Sequence, residues 1–197
     1  VCLFTSDDAT HPLGTSIAEE IARKEHGFAV IYFSKERCNA EDVCHLMRSA
    51  APDLSFAACS TAGEITPLGL DEGQLVILLF PKIHFTIEAQ TIATRSNGID
   101  SIVDPVRQFK KDFLRNKTDG SVIALCLLDG ASFLEETITA AMHWGLDEIP
   151  LLGGSAGDSL NFAETYLILN GKIIEQGGIL LLVHTDLPTE IFKTENF

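Results

Sequence analysis

Basic residues are scarce in this chain. Lysine and arginine number 14 against 28 aspartates and glutamates, for a formal charge of −14. A surface that grips phosphates needs clustered cations. The densest group here, Arg107, Lys110, Lys111 and Arg115, is spaced as one solvated helical face. Nucleic acid and anionic membrane surfaces are therefore not expected partners. Long apolar runs are missing too. Leu75 to Phe80 and Ile179 to Val183 have the length of strands, far short of a bilayer span. The five cysteines, Cys2, Cys38, Cys44, Cys59 and Cys126, are an odd set without framework spacing. Free thiols in a reducing compartment fit them best, so a cytoplasmic location is expected. No HExxH or Cys/His spacing for zinc links the histidines. Cys44-His45 matches the end of a c-type haem motif, yet Glu41 stands where the first cysteine is needed. The chain opens on Val1 and not on Met, so the natural N-terminus, with any targeting signal, is expected upstream.

What is present reads as an ordinary globular protein. Apolar residues make up 46% and charged residues 21% of 197, enough to bury a good core. Thr15 or Ser16 is placed to cap a helix running to Glu25, with Ile17, Ala18, Ile21 and Ala22 on one side. Phe28 to Ser34 is a near-continuous apolar run of strand formers, expected to be buried on both faces. Asn39 can cap a helix over Glu41 to Ala50, ahead of Pro52. Strands are expected at Phe56 to Cys59, Gln74 to Phe80 and Phe85 to Ala93. Ile99 to Arg115 reads as a helix with Ile102, Val106, Phe109 and Phe113 on one face and Pro105 in its first turn. Val122 to Leu128 is a further buried strand, and Phe133 to Trp144 a helix closed by Gly145. Thr165 to Leu169 and Lys172 onward form a hairpin around the type I′ signal Asn170-Gly171, and Ile179 to His184 is the last strand.

The second half repeats the first. Phe28 falls on Val122 and Gly63 on Gly157, a shift of 94 (122 less 28, 157 less 63). At that shift Thr61-Ala62-Gly63-Glu64 meets Ser155-Ala156-Gly157-Asp158. Gly73 to Phe80 resembles Gly177 to His184 at a shift of 104, which leaves about ten extra residues near the second hairpin. One pseudo-symmetric domain over residues 1–190 is expected. It is an α/β fold with mixed sheet or sheets covered by helices, built from two similar α/β halves. Three layers and four layers are equally open.

The two small-residue turns carry the site chemistry. Each leaves the end of a buried strand, where ligands of α/β folds sit. Glycine allows close approach and the φ > 0 that aims successive N–H groups into an anion-binding hollow. The expected ligand-binding residues are Ser60, Thr61, Gly63, Glu64, Gly154, Ser155, Gly157 and Asp158. A zwitterion suits them, with its carboxylate on N–H groups and its ammonium on an acid. Gly153-Gly154-Ser155-Ala156-Gly157 also satisfies G-x-S-x-G, which makes a serine hydrolase using Ser155 the alternative, with the later His184 and Asp186 available as triad partners in an order reversed from that of the α/β hydrolases. That motif needs a helix after the turn, whereas a strand is expected at Thr165. No catalytic residue and no metal ligand is therefore assigned.

Cys59-Ser60-Thr61-Ala62-Gly63-Glu64-Ile65 and Leu152-Gly153-Gly154-Ser155-Ala156-Gly157-Asp158, with Phe162, Asn170-Gly171 and Gly177-Gly178, resemble the N-terminal domain of the FIST family from about Phe28 to His184. The resemblance implies a non-catalytic sensory input domain of intracellular signal transduction, with amino acids or related small molecules as ligands. It implies work with chemotaxis receptors, histidine kinases or cyclic-dinucleotide enzymes. One branch of the family resembles haem proteins that sense nitric oxide, so a b-type haem on a single histidine is a second reading, and the cofactor stays open. A C-terminal FIST domain normally follows. Residues 191–197 look like the lead into it.

Overall fold

The computed structural model describes residues 2–6, 11–23, 25–93, 99–117, 119–132, 134–158 and 164–193. Phe162 and Thr194 to Phe197 lie outside the described residues. The element order is β1 (Cys2–Ser6), α1 (His11–Arg23), β2 (His26–Ser34), α2 (Ala40–Ala50), β3 (Ser55–Thr61), β4 (Glu64–Thr66), β5 (Gly69–Asp71) and β6 (Leu75–Pro81). It continues with β7 (Phe85–Ile92), α3 (Asp100–Leu114), β8 (Ser121–Leu128), α4 (Glu135–Leu146), β9 (Leu151–Ser155), β10 (Leu167–Leu169), β11 (Lys172–Ile174) and β12 (Gly178–Thr185). The fold is α/β with mixed sheets, as the sequence predicts. None of the helices among the described residues is long and apolar enough to cross a membrane.

Three apolar clusters position the elements. Ala29, Ile31 and Phe33 of β2 join Ala58, Ile77 and Leu79 under Ile17 of α1 and Val43, Leu46 and Met47 of α2. Ala124, Cys126 and Leu128 of β8 join Leu180 and Leu182 under Val106 and Phe113 of α3 and Ile138 and Met142 of α4. The alternate residues, Phe28, Val30, Ala57, Cys59, Leu127, Ile179 and Leu181, form a third cluster drawn from both sheets. Strand side chains alternate faces. The sheets therefore face each other, with a helical pair outside each.

The larger sheet has the order β1-β6-β2-β3-β10-β11 and the smaller β7-β12-β8-β9, while β4 and β5 pair only with each other. Among the described residues only β2–β3 and β8–β9 are parallel. Ile31 is paired to Ala58 on one side and Ile77 on the other. Cys126 is paired to Gly153 and Leu180 in the same senses. The structural shift between the halves is thus 95 (126 less 31, 153 less 58), which corrects the shift of 94. At 94, Ile31 would match Leu125, which faces the other sheet, and a one-residue slip turns every strand side chain over. At 95 the buried Val43, Leu46 and Met47 of α2 match Ile138, Ala141 and Met142 of α4. From the hairpins onward the shift is 103 (168 less 65, 180 less 77), so the second half carries eight extra residues here, not ten.

Local departures have plain causes. α1 starts at His11, earlier than a cap at Thr15 or Ser16 implies, with Pro12 in the first turn where a missing N–H costs nothing. Asn39 makes the expected cap, reciprocated by Asp42. Pro105 sits inside α3 beyond its first turn, and burial of Val103, Val106 and Phe113 outweighs the lost bond. Gly145 does not close α4 but lies within it. A Cβ there would stand 2.6 Å from Val106 Cγ1, so this glycine lets α3 and α4 cross closely. Asn170 and Gly171 take φ of 51° and 80°, the expected hairpin turn.

Cys38, Cys44, Cys59 and Cys126 are free and buried. Burial pushes the thiols of Cys38 and Cys59 up to about 12 and that of Cys126 to about 11, from an ordinary 9.0. The unfolded chain loses these protons near pH 9 while the folded chain keeps them. This part of the stability is therefore complete below about pH 8.5 and fades as the pH climbs through 9 towards 12. The urea midpoint should hold steady from neutrality to that point and fall above it. Iodoacetamide should label these four thiols only on unfolding. Rapid labelling of any of these four in the native protein would contradict this packing.

Candidate functional site

The carboxyl ends of both parallel pairs, β2–β3 and β8–β9, come together at one end of the paired sheets. Ser60, near the end of β3, is fully buried. Its carbonyl accepts from the Gly157 N–H at 2.9 Å, and its hydroxyl donates to the Gly157 carbonyl at 2.7 Å. The same hydroxyl accepts from Tyr166 N–H at 3.0 Å. The two turns that the sequence singles out are thus joined by a two-way clasp, although they leave strands of different sheets.

Both acids of the turns are buried and held; neither is a solvated turn carboxylate. Glu64 is 3% exposed and Asp158 5%. Glu64 accepts from the Thr61 hydroxyl and from Gln74 N–H at 3.0 Å. Asp158 accepts from Glu164 N–H at 3.2 Å. Lys35, just past the end of β2, donates to the Glu164 carbonyl at 2.6 Å. A cation and a buried carboxylate therefore flank Glu164.

Sequence reasoning missed Asp129, the third buried acid at this end. It accepts from Ala131 N–H at 3.0 Å and from the Thr165 hydroxyl at 2.6 Å. The available signal was an acid placed directly after the apolar strand Val122 to Leu128, at the end where α/β ligands sit.

Gly157 is required for space. It is absent from the residues with positive φ, and a Cβ there would lie 2.8 Å from Ala62 N. The sequence argument from φ > 0 does not apply to it, and its N–H is already taken by Ser60. Gly63 precedes β4, and a Cβ there would touch the Asp71 carbonyl at 3.5 Å. Gly154 and Ser155 stand apart from the clasp. Both are exposed in β9, beside an open groove of about 860 Å³ between β9 and α4.

The geometry separates the hydrolase residues. Ser155 pairs with Leu128 of β8, while His184 pairs with Val122, six residues away along the same strand, or roughly 20 Å. His184 Nε2 meets the Asp119 carbonyl at 2.5 Å, and Asp186 is on His84 at 2.9 Å. Ser155 ends a strand, and no helix follows among the described residues. A fluorophosphonate probe should leave the protein unlabelled. Stoichiometric labelling lost in Ser155→Ala would revive the hydrolase.

The groove beside β9 is roomy enough to test for a b-type haem. Its one lining histidine among the described residues is His143, in the last turn of α4; Glu135, Glu136, Asp147 and Glu148 line it too, and Lys110 is already held by Asp147 at 3.9 Å and the Leu146 carbonyl at 3.1 Å. Two haem propionates would meet four carboxylates against the single charge of Lys110, already spent on Asp147. These residues do not fit the group.

No curated protein matches the chain. The family model described as FIST N domain matches residues 27–197, which takes in both turns, all three buried acids and every strand from β3 onward. The chain belongs to the FIST N domain family, a family of sensory, generally non-catalytic domains in signal transduction.

Proposed function

We propose that this chain is a non-catalytic, cytoplasmic input domain that binds a small polar ligand, such as an amino acid, at the joined strand ends. The observation that carries the reading is the Ser60–Gly157 clasp between two buried, hydrogen-bonded carboxylates, Glu64 and Asp158. Buried acids held by backbone N–H groups are set in place before a ligand arrives, which lowers the cost of binding. A ligand ammonium suits Asp158 or Glu64, and a ligand carboxylate suits Lys35. The backbone N–H of Gly157, spent on the clasp, does not serve it.

Two sheets meet at this point, so a ligand that touches both turns favours one relative placement of the halves. That is how binding becomes a signal. The output passes to a C-terminal FIST domain and through it to a histidine kinase, a cyclic-dinucleotide enzyme or a chemotaxis receptor. The equal element order and pairing of the halves support descent by internal duplication, with residues 1–190 as one domain. A thermal-shift screen with amino acids and related zwitterions tests the reading. A ligand of the native state should raise the midpoint with concentration. If none of the panel does so, the reading fails.

A further inference from the structure

The two halves differ in what covers the outer edge of their parallel strand pair. In the first half, β10 lies antiparallel on β3, with Ile168 opposite Ala58. Ile168 is fully buried against the α2 side, and Ile173 of β11 packs there too. In the second half, the counterpart edge is β9, which among the described residues is the last strand of its sheet, with Ile191 also lining the groove beside it. A Cβ on Gly154 would meet nothing within 4 Å. The groove between β9 and α4 therefore lies where a hairpin sits in the first half.

The hairpin that matches β10–β11 is β4–β5, residue for residue at the shift of 103. Ile65 and Leu70 stand at the positions of Ile168 and Ile173, yet they are 81% and 80% exposed. The hairpins are anchored differently. Residues 156–166 lead from β9 to β10 on the other sheet, whereas residues 62–63 lead from β3 straight into β4, whose Glu64 is buried on Gln74 N–H at 3.0 Å. The first hairpin is therefore held away from the β9 edge of its own chain, with Ile65 and Leu70 in solvent.

We propose that the β4–β5 hairpin of a second copy of this chain fills the groove, adding its strands to the open β9 edge and seating Ile65 and Leu70 against α4. The register follows from the filled half: Ile65 opposite Gly153 and Thr66 opposite Leu152 of the other copy. An open strand edge accepts such an addition, and pairing in trans gives β9 the neighbour that β3 has in β10. Hairpin and groove both carry acids, Asp71 and Glu72 against Glu135 and Glu136. Self-association therefore strengthens with added salt.

Sedimentation of the full chain over a wide concentration range, at low and high salt, is the first measurement. A concentration-dependent dimer is expected. Ile65→Asp should weaken it about a hundredfold or more, because a carboxylate would enter an apolar seat already ringed by acids. Ile65 is exposed, so that variant keeps its fold. In a Cys2→Ser background, Thr66→Cys mixed with Leu152→Cys should form a disulfide-linked pair on mild oxidation, faster than either variant alone. A monomer at every concentration, association indifferent to Ile65→Asp, or cross-linking no faster in the mixture would each overturn the proposal. None of these readouts depends on a ligand.

Discussion

Gly157→Val should lower stability by about 1–3 kcal/mol, the usual cost of forcing side-chain atoms into a filled space. The first added atom would lie 2.8 Å from Ala62 N, 3.0 Å from Ala62 Cβ and 3.1 Å from the Thr61 carbonyl carbon. Two of these three are backbone atoms of the opposite turn, so no flexible side chain can move aside. The turns must part, and the Ser60 clasp parts with them. Urea denaturation should show a lower midpoint at unchanged slope. Gly154→Ala is the control. It lacks both positive φ and close neighbours, so its effect should stay within about 0.5 kcal/mol. If the two substitutions are equally harmless, the turns do not touch and the site is not one site.

The sequence revealed the strands buried on both faces because their composition leaves few other readings. β2, β6, β8 and β12 are near-continuous apolar runs, and Asn170-Gly171 names its own turn. It failed where tertiary contact decides. Gly145 has the local look of a helix end, but its role is set by Val106 on another helix. The hairpin β4–β5 escaped notice because its three-residue strands expose Ile65 and Leu70 and follow no buried alternation. The shift of 94 aligned small residues with small residues. Only the pleat, which turns each side chain over at every step, shows that 95 preserves the faces.

The site followed the same division. Serine, glycine and acid at two strand ends marked the place, and the clasp joins those turns. What the letters could not tell was burial. A carboxylate after a glycine reads as solvated, whereas Glu64 and Asp158 each accept a backbone N–H inside the fold. Asp129 carried no motif at all. It belongs to the group only because β8 ends beside the turn that follows β9, with the Ala156 N–H on the Leu128 carbonyl at 2.8 Å.

Burial also decides which substitution tests binding. Asp158→Ala would orphan the Glu164 N–H and confuse a loss of fold with a loss of site. Asp158→Asn keeps an acceptor for that N–H and removes only the charge. A charge-assisted contact in a dry site is worth about 1.5–3 kcal/mol, roughly ten- to a hundredfold in affinity. Calorimetric titration of an amino-acid ligand into the wild type, Asp158→Asn and Glu64→Gln is the most direct measurement of the central claim. Affinity should fall by that factor in at least one variant while the urea midpoint stays near the wild-type value. A bound ligand whose affinity is indifferent to both charges would place the site elsewhere and leave the clasp a structural joint.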